Sequence, residues 1–366
     1  MERDRGYRMK TYYDIEDDVT AYPDAWCYII VGGRNTGKTY SGLMYNINHK
    51  SKHVFVKRTN KDIDLLCSGN SLGSKSAEYD VDLSPYKSIN RDTGLNIKAF
   101  KIDDGLGGFY KTDDEGGAVG APEGYLISLS AIHKFKGFDL SECADIIFDE
   151  FIPQPWERIS RTEGEALMEL YKTTARDRTL RGREELKLFC FANAVNVFNY
   201  TCEILEVTDI IAEMAISHKE VTYLEDRGIF IRILQTSDEM MQNEKQTGIY
   251  RAMSGTAWGR MAFGNEFAYN DFSNIKRIAL KGYRPLVKII YKCKDFYVYN
   301  NNSSYYICSS RAQCRKEYNL DKELDQKAFY YDHAIDLRNK AIEGKMVFEK
   351  YSLYDLIINY KKRFQI

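Results

Sequence analysis

The feature that most limits what this chain can fold into is an abrupt change of character at residue 32, where the apolar run Trp26–Val31 breaks into G-G-R-N-T-G-K-T, Gly32–Thr39. An unbroken apolar run reads as a strand covered on both faces, and the segment after the glycines, with Leu43, Met44 and Ile47 on one side, reads as a helix. A buried strand that must turn at once into a helix points to an α/β sheet. The eight residues fit G-x-x-x-x-G-K-S/T in the context that motif requires. Gly32, Gly33, Arg34, Asn35, Thr36 and Gly37 supply backbone amides that can curl around a phosphate, and the helix amino end adds positive potential. Lys38 is placed to reach the β and γ oxygens of ATP, and Thr39 to ligate Mg²⁺. A chance glycine-rich turn is the competing reading.

Further short apolar runs follow at residues 53–57, 97–102, 125–130, 144–148 and 186–192, and read as central strands of the same sheet. Residues 144–148 run straight into Asp149-Glu150, which resembles a Walker B motif. Asp149 would hold Mg²⁺, and Glu150 would polarise the attacking water. The run Leu188–Ala192 ends in Asn193, whose amide can both donate to a phosphate oxygen and accept from water, as a γ-phosphate sensor must; a turn-forming asparagine is the alternative. Before it stand Arg176, Arg178, Arg181 and Arg183, at the end of a helix carrying Ala166, Leu167 and Leu170. They suit either capping of that helix or an arginine finger for a neighbouring subunit. Lys134 and Lys136, interleaved with aromatics in H-K-F-K-G-F, suit contact with a phosphate backbone or a solvated loop.

Between Asp103 and Gly124 the chain is glycine-rich and acidic, and reads as an exposed hairpin insertion with no core element. Two more strands are expected at 221–224 and 228–234, and the polar stretch 235–256 reads as a connector. Residues 271–366 hold 19 Lys/Arg against 11 Asp/Glu, a net +8 that leaves −9 for the rest of a chain of net charge −1. This basic end suits either a solvated surface or a polyanion interface. It opens with three strands near 286–293, 296–300 and 305–308, expected as an antiparallel meander, and closes in helices near 330–342 and 353–361. The eight cysteines include no C-x-x-C pair, and no H-E-x-x-H occurs, so no zinc site or disulfide framework is encoded. No apolar run reaches the eighteen or so residues of a membrane span.

Taken in order, I-I-V-G-G-R-N-T-G-K-T-Y, I-I-F-D-E-F-I and F-C-F-A-N-A-V-N-V-F-N resemble the genome-packaging ATPases of phi twenty-nine-like short-tailed phages, over most of residues 26–234. The resemblance implies an ASCE-type (RecA-like) P-loop ATPase domain over 1–234, a connector over 235–270 and a degenerate RNase H-like α+β domain over 271–366. It also implies a homo-oligomeric ring of five subunits, working with ATP and Mg²⁺ to move double-stranded DNA through a capsid portal. Its place is then the host cytoplasm and, transiently, the portal vertex, away from any membrane, with a structural packaging RNA as a further candidate partner. The family's F-R-N-R run falls on A-R-D-R here, which makes Arg176 the trans-acting finger, and its DNA-gripping lysine falls on Lys136. A trans-acting basic position falls on Asn60, with Lys61 beside it. The strand at 286–292 has no carboxylate, so nuclease chemistry on two metals is not expected of the tail. A helicase or protein-remodelling ATPase is the alternative function, because it uses the same pocket.

Overall fold

The computed structural model describes residues 12–67, 70, 72, 83–135, 137–157, 159–264, 266–267 and 269–366. They divide into two compact units, Met1–Leu205 with Ser217–Tyr269, and Glu206–Ile216 with Asn270–Ile366.

The first unit is built on β1 (Cys27–Gly32), β2 (Lys52–Lys57), β3 (Ile97–Asp103), β4 (Leu106–Thr112), β5 (Ala118–Ser128), β6 (Cys143–Asp149), β7 (Lys187–Asn193), β8 (Val221–Leu224) and β9 (Ile229–Ile233). They form one nine-stranded sheet in the order β3-β4-β5-β2-β6-β7-β1-β9-β8. The block from β5 to β9 is parallel; β4 and β8 flank it antiparallel, and β3 pairs antiparallel with β4 at the edge. One strand, β7, separates the glycine-loop strand β1 from the acidic strand β6, as an ASCE-type sheet requires. Every residue of β1 is buried, which explains its unbroken apolar run. Helix α1 (Lys38–His49) follows the glycine loop and packs closely on the sheet: a Cβ on Gly42 would lie 2.5 Å from Phe191 Cε2. Phe148, Phe189 and Phe191 are fully buried, each stabilising the unit by roughly 2–3 kcal/mol relative to exposure.

The stretch 103–124 is not an insertion outside the core. It contributes β4 and most of β5, with Phe109 fully buried. Its acidic clusters sit at the two turns, whereas Gly107 lets β4 lie against its neighbours: a Cβ there would meet Phe100 O at 2.9 Å. The polar stretch after β9 is helical, in three short pieces at Asp238–Lys245, Gly248–Met253 and Ala257–Gly264.

The second unit carries a five-stranded sheet of β10 (Arg284–Tyr291), β11 (Lys294–Asn300), β12 (Tyr305–Cys308), β13 (Glu317–Asn319) and β14 (Met346–Phe348), in the order β13-β10-β11-β12-β14. The expected meander is its antiparallel centre; β13 and β14 add parallel edges, so the sheet is mixed. Val287, Val298, Ile307, Phe329, Phe348 and Leu356 form its core. The separate piece 206–216 belongs here through Asp209, whose carboxylate accepts from Ser352 N and Oγ, both at 2.8 Å, and so satisfies an amide at the start of helix Tyr351–Ile358.

Candidate active site

The glycine loop owes its shape to two left-handed residues, Asn35 at φ 59° and Gly37 at φ 89°. Asparagine tolerates that region and glycine enters it freely. The chain before β1 braces the loop, with Tyr13 N donating to Thr36 O at 3.0 Å. Space is short there: a Cβ on Gly37 would also lie 3.2 Å from Tyr12 Cβ. Across the loop lies the Lys38 ammonium, donating to Gly33 O at 2.6 Å, Thr36 Oγ1 at 2.9 Å and Gly32 O at 3.3 Å. Burial pulls its pKa down from the ordinary lysine value to about 8, against the pull of the carboxylates of Asp149 and Glu150.

Those carboxylates stand at the carboxyl end of β6, next to the helix start at Thr39. Thr39 Oγ1 donates to Asp149 Oδ1 at 2.6 Å. Because β2 runs parallel beside β6, its last residue arrives at the same level, and Lys57 Nζ lies 2.9 Å from Asp149 Oδ2 and 3.2 Å from Glu150 Oε2. Burial opposes the charge on Lys57, but the two acids outweigh it and its pKa is raised. Glu150 itself turns the chain at φ 57°, with its side chain 61% exposed. Neither Lys57 nor its neighbour Arg58 stands out in the sequence, since each is one basic residue at a strand end. Arg58 ties the segment after β6 in place: Nη2 donates to Phe151 O at 2.6 Å, and Nε to Glu163 at 2.7 Å. Glu163 opens helix α2 (Glu163–Ala175).

An open pocket of about 320 Å³ is lined by Arg34 to Tyr40, Asp149, Glu150 and Asn193. Asn193 reaches it because β7 pairs in register with β1, Asn193 opposite Gly32. The donor set fits a nucleoside triphosphate with Mg²⁺: amides and an ammonium for phosphate, and a hydroxyl and carboxylate as hard oxygen ligands. Among the described residues no group of three or more His, Cys, Asp or Glu could hold a metal, so an ion here would draw on phosphate oxygens as well.

The other residues singled out from the sequence lie outside this pocket. Arg176 is the cap residue after α2, and Lys134 is exposed and paired with Asp104 at 2.5 Å. Lys61 lies in the first turn of the helix Asn60–Cys67. Lys136 lies outside the described residues. Arg176 caps α2 with its backbone N–H, which donates to Lys172 O, whereas the side chains of Arg176, Arg178 and Arg183 each donate to carbonyls of residues 137–143.

Over residues 10–330 the sequence matches the model of the Podovirus DNA encapsidation protein (Gp16) family. The chain belongs to this family. As an encapsidation protein with a complete glycine-loop pocket it is an ATP-hydrolysing enzyme of DNA packaging. Its fold is similar to a chain of the bacteriophage Phi-29 viral genome packaging motor assembly, with a TM-score of 0.62 at 18% identity over 97% of this chain and 99% of that one. It is also similar to the Phi-28 gp11 DNA packaging motor, with a TM-score of 0.57 at 16% identity over 96% and 97% of the two chains. At these identities the likeness speaks for the fold of the encapsidation protein, its RecA-like mixed sheet with flanking helices and its separable C-terminal domain. No curated protein matches the chain.

Proposed function

We propose that this encapsidation protein is the ATP-driven translocase that moves double-stranded viral DNA into a preformed capsid through its portal. It would act as a ring, of five subunits by the family resemblance, in the host cytoplasm at the portal vertex. The observation that carries the reading is the convergence of Lys38, Thr39, Asp149 and Glu150 on one open pocket. In it the amides of residues 32–37 and the Lys38 ammonium bind the phosphates, and Thr39 with Asp149 holds Mg²⁺. The ion, when bound, neutralises phosphate charge. Glu150 accepts the proton of the attacking water, and Asn193 senses the terminal phosphate. Arg176 acts on the pocket of a neighbouring subunit, and Lys134 with Lys136 contacts the DNA backbone. The basic unit from residue 271 onward is a degenerate RNase H-like domain that binds nucleic acid or portal without cutting.

ATP turnover of the purified full-length protein, with duplex DNA, single-stranded DNA or neither, tests this directly. Stimulation by duplex alone is expected, and stimulation by single strands alone would make it a helicase instead. Arg176→Ala mixed with wild type should depress turnover more than in proportion to its share, and strictly proportional loss would exclude trans action.

A further inference from the structure

Three arginines of the 176–183 cluster grip one stretch of main chain, from Gly137 to Cys143 at the start of β6. Arg178 donates Nη1 to Cys143 O and Nε to Glu184 O at 2.8 Å, and Arg183 donates Nη1 to Ser141 O at 2.6 Å. Arg176 donates Nη2 to Phe138 O and, at 3.3 Å, to Gly137 O, with Nη1 3.6 Å from the Asp139 carboxylate.

These contacts differ in how readily they open. Arg178 is only 7% exposed and its bond to the Cys143 carbonyl is buried, so releasing it would strand that carbonyl away from water. Arg176 is exposed, and water can replace it at Gly137 and Phe138. Its backbone sits at φ 41°, ψ −126°, a conformation that strains a residue with a Cβ and that persists only where surrounding contacts hold it. On the other side of the loop, the Lys134 side chain makes an exposed pair with Asp104, which adds little.

We propose that Arg176 is a two-position latch: its guanidinium either holds the Gly137–Phe138 carbonyls and pins residues 137–139, or leaves them for a nucleotide phosphate presented by another copy of this chain. Both Nη groups are engaged in the first position, and bidentate binding of phosphate draws on the same planar fork, so the two positions exclude each other. A charge-assisted bond to phosphate is stronger than one to a neutral carbonyl, so the phosphate wins when within reach. Linkage then runs both ways: a load that holds the loop in place also favours the inward position of Arg176. The latch rests on the trans-acting reading of Arg176 proposed above.

Hydrogen exchange of the full-length protein, read by mass spectrometry at the amides of 137–139, tests it. In Arg176→Gln, exchange there should rise by roughly fivefold or more without nucleotide. Asp139→Asn, which leaves the arginine intact, should give a smaller rise. In wild type, ATPγS with Mg²⁺ at a protein concentration where light scattering shows oligomers should give the same rise, with no further change in Arg176→Gln. Exchange at 137–139 that is equal in wild type and Arg176→Gln, or unmoved by ATPγS in the wild-type oligomer, overturns the latch. The mixed-subunit turnover assay separates the two failures: disproportionate loss with unmoved exchange removes the latch and keeps trans action, whereas proportional loss removes trans action and the latch with it.

Discussion

Strand β6 carries an aspartate near each end, and the two live in opposite surroundings. Asp149, at the carboxyl end, accepts from Thr39 and pairs with Lys57, beside an open pocket. Asp145, near the amino end, is fully buried; Asn46 Nδ2 donates to one oxygen at 3.1 Å, and the other oxygen has no hydrogen-bond partner among the described residues. Burial lifts the Asp145 pKa to about 7, against the Asn46 bond and the nearby charges of Arg178 and Lys187. The difference teaches that an acidic residue on a central strand becomes chemically useful only where the strand end brings it a cation and access to solvent. At the other end the same side chain costs stability.

The largest expected effect breaks the comparison at the useful end. Glu150→Gln keeps the shape of the side chain and removes the base, so turnover should fall by roughly 10²–10⁴-fold while the midpoint of thermal unfolding hardly moves. Lys38→Ala should lose at least as much, with weakened ATP binding. Turnover retained within a few-fold in Glu150→Gln would mean that the water is activated elsewhere.

Next in size is Lys57→Ala. Without that ammonium Asp149 and Glu150 face each other as like charges, and the fold should lose about 2 kcal/mol in metal-free buffer. Mg²⁺ with nucleotide should recover part of the loss, because it brings positive charge to the same carboxylates. Equal losses in chemical denaturation with and without Mg²⁺–nucleotide would show that Lys57 serves packing alone.

At the other end of β6, Asp145→Asn should stabilise the protein. Its folded pKa lies above the ordinary value, so the unfolded chain gives up its proton first, and wild-type stability falls as pH rises from about 4 to about 7. That interval corresponds to at most ~4 kcal/mol, from which an unpaired amide in the variant takes back about 1–3 kcal/mol. A gain of at most about 1–3 kcal/mol is therefore expected at pH 8, shrinking and turning into a loss as pH approaches 4. A gain independent of pH would show that ionisation of Asp145 is not what the fold resists.

The pocket was legible in the sequence because each of its parts comes just after a buried strand, where an apolar run stops at a polar residue; Lys38, Asp149, Glu150 and Asn193 all announce themselves this way. Lys57 did not, because only the sheet order, which places β2 beside β6, turns an ordinary strand-end lysine into a partner of both acids. The stretch 103–124 misled through composition: its aspartates and glycines mark turns, yet Leu106, Phe109 and Tyr110 between them are enough to hold β4 in the sheet. Arg176, Arg178 and Arg183 show the same limit, since their bonds go to carbonyls some 40 residues earlier, and no local pattern encodes a main-chain acceptor. The piece 206–216 joins the second unit through Asp209, a contact across more than a hundred residues that leaves no periodic trace.

The smallest expected effect returns to the pocket and concerns Lys38. With its pKa at about 8, the ammonium is part neutral just above that pH. A triphosphate favours the charged form, so binding at pH 8.5 should take up a proton, roughly 0.5–0.8 per site, and none at pH 6.5. Affinity for ATP should accordingly be flat below pH 8 and fall as pH rises through it. Fold stability without nucleotide runs the other way: burying a charged Lys38 costs the folded state below pH 8, and that cost fades as pH rises toward the ordinary lysine value. Calorimetric titration of ATP in buffers of different ionisation enthalpy measures the uptake directly. A binding enthalpy independent of buffer at pH 8.5 would mean that contacts with Gly33 and Thr36 keep the lysine charged despite its burial.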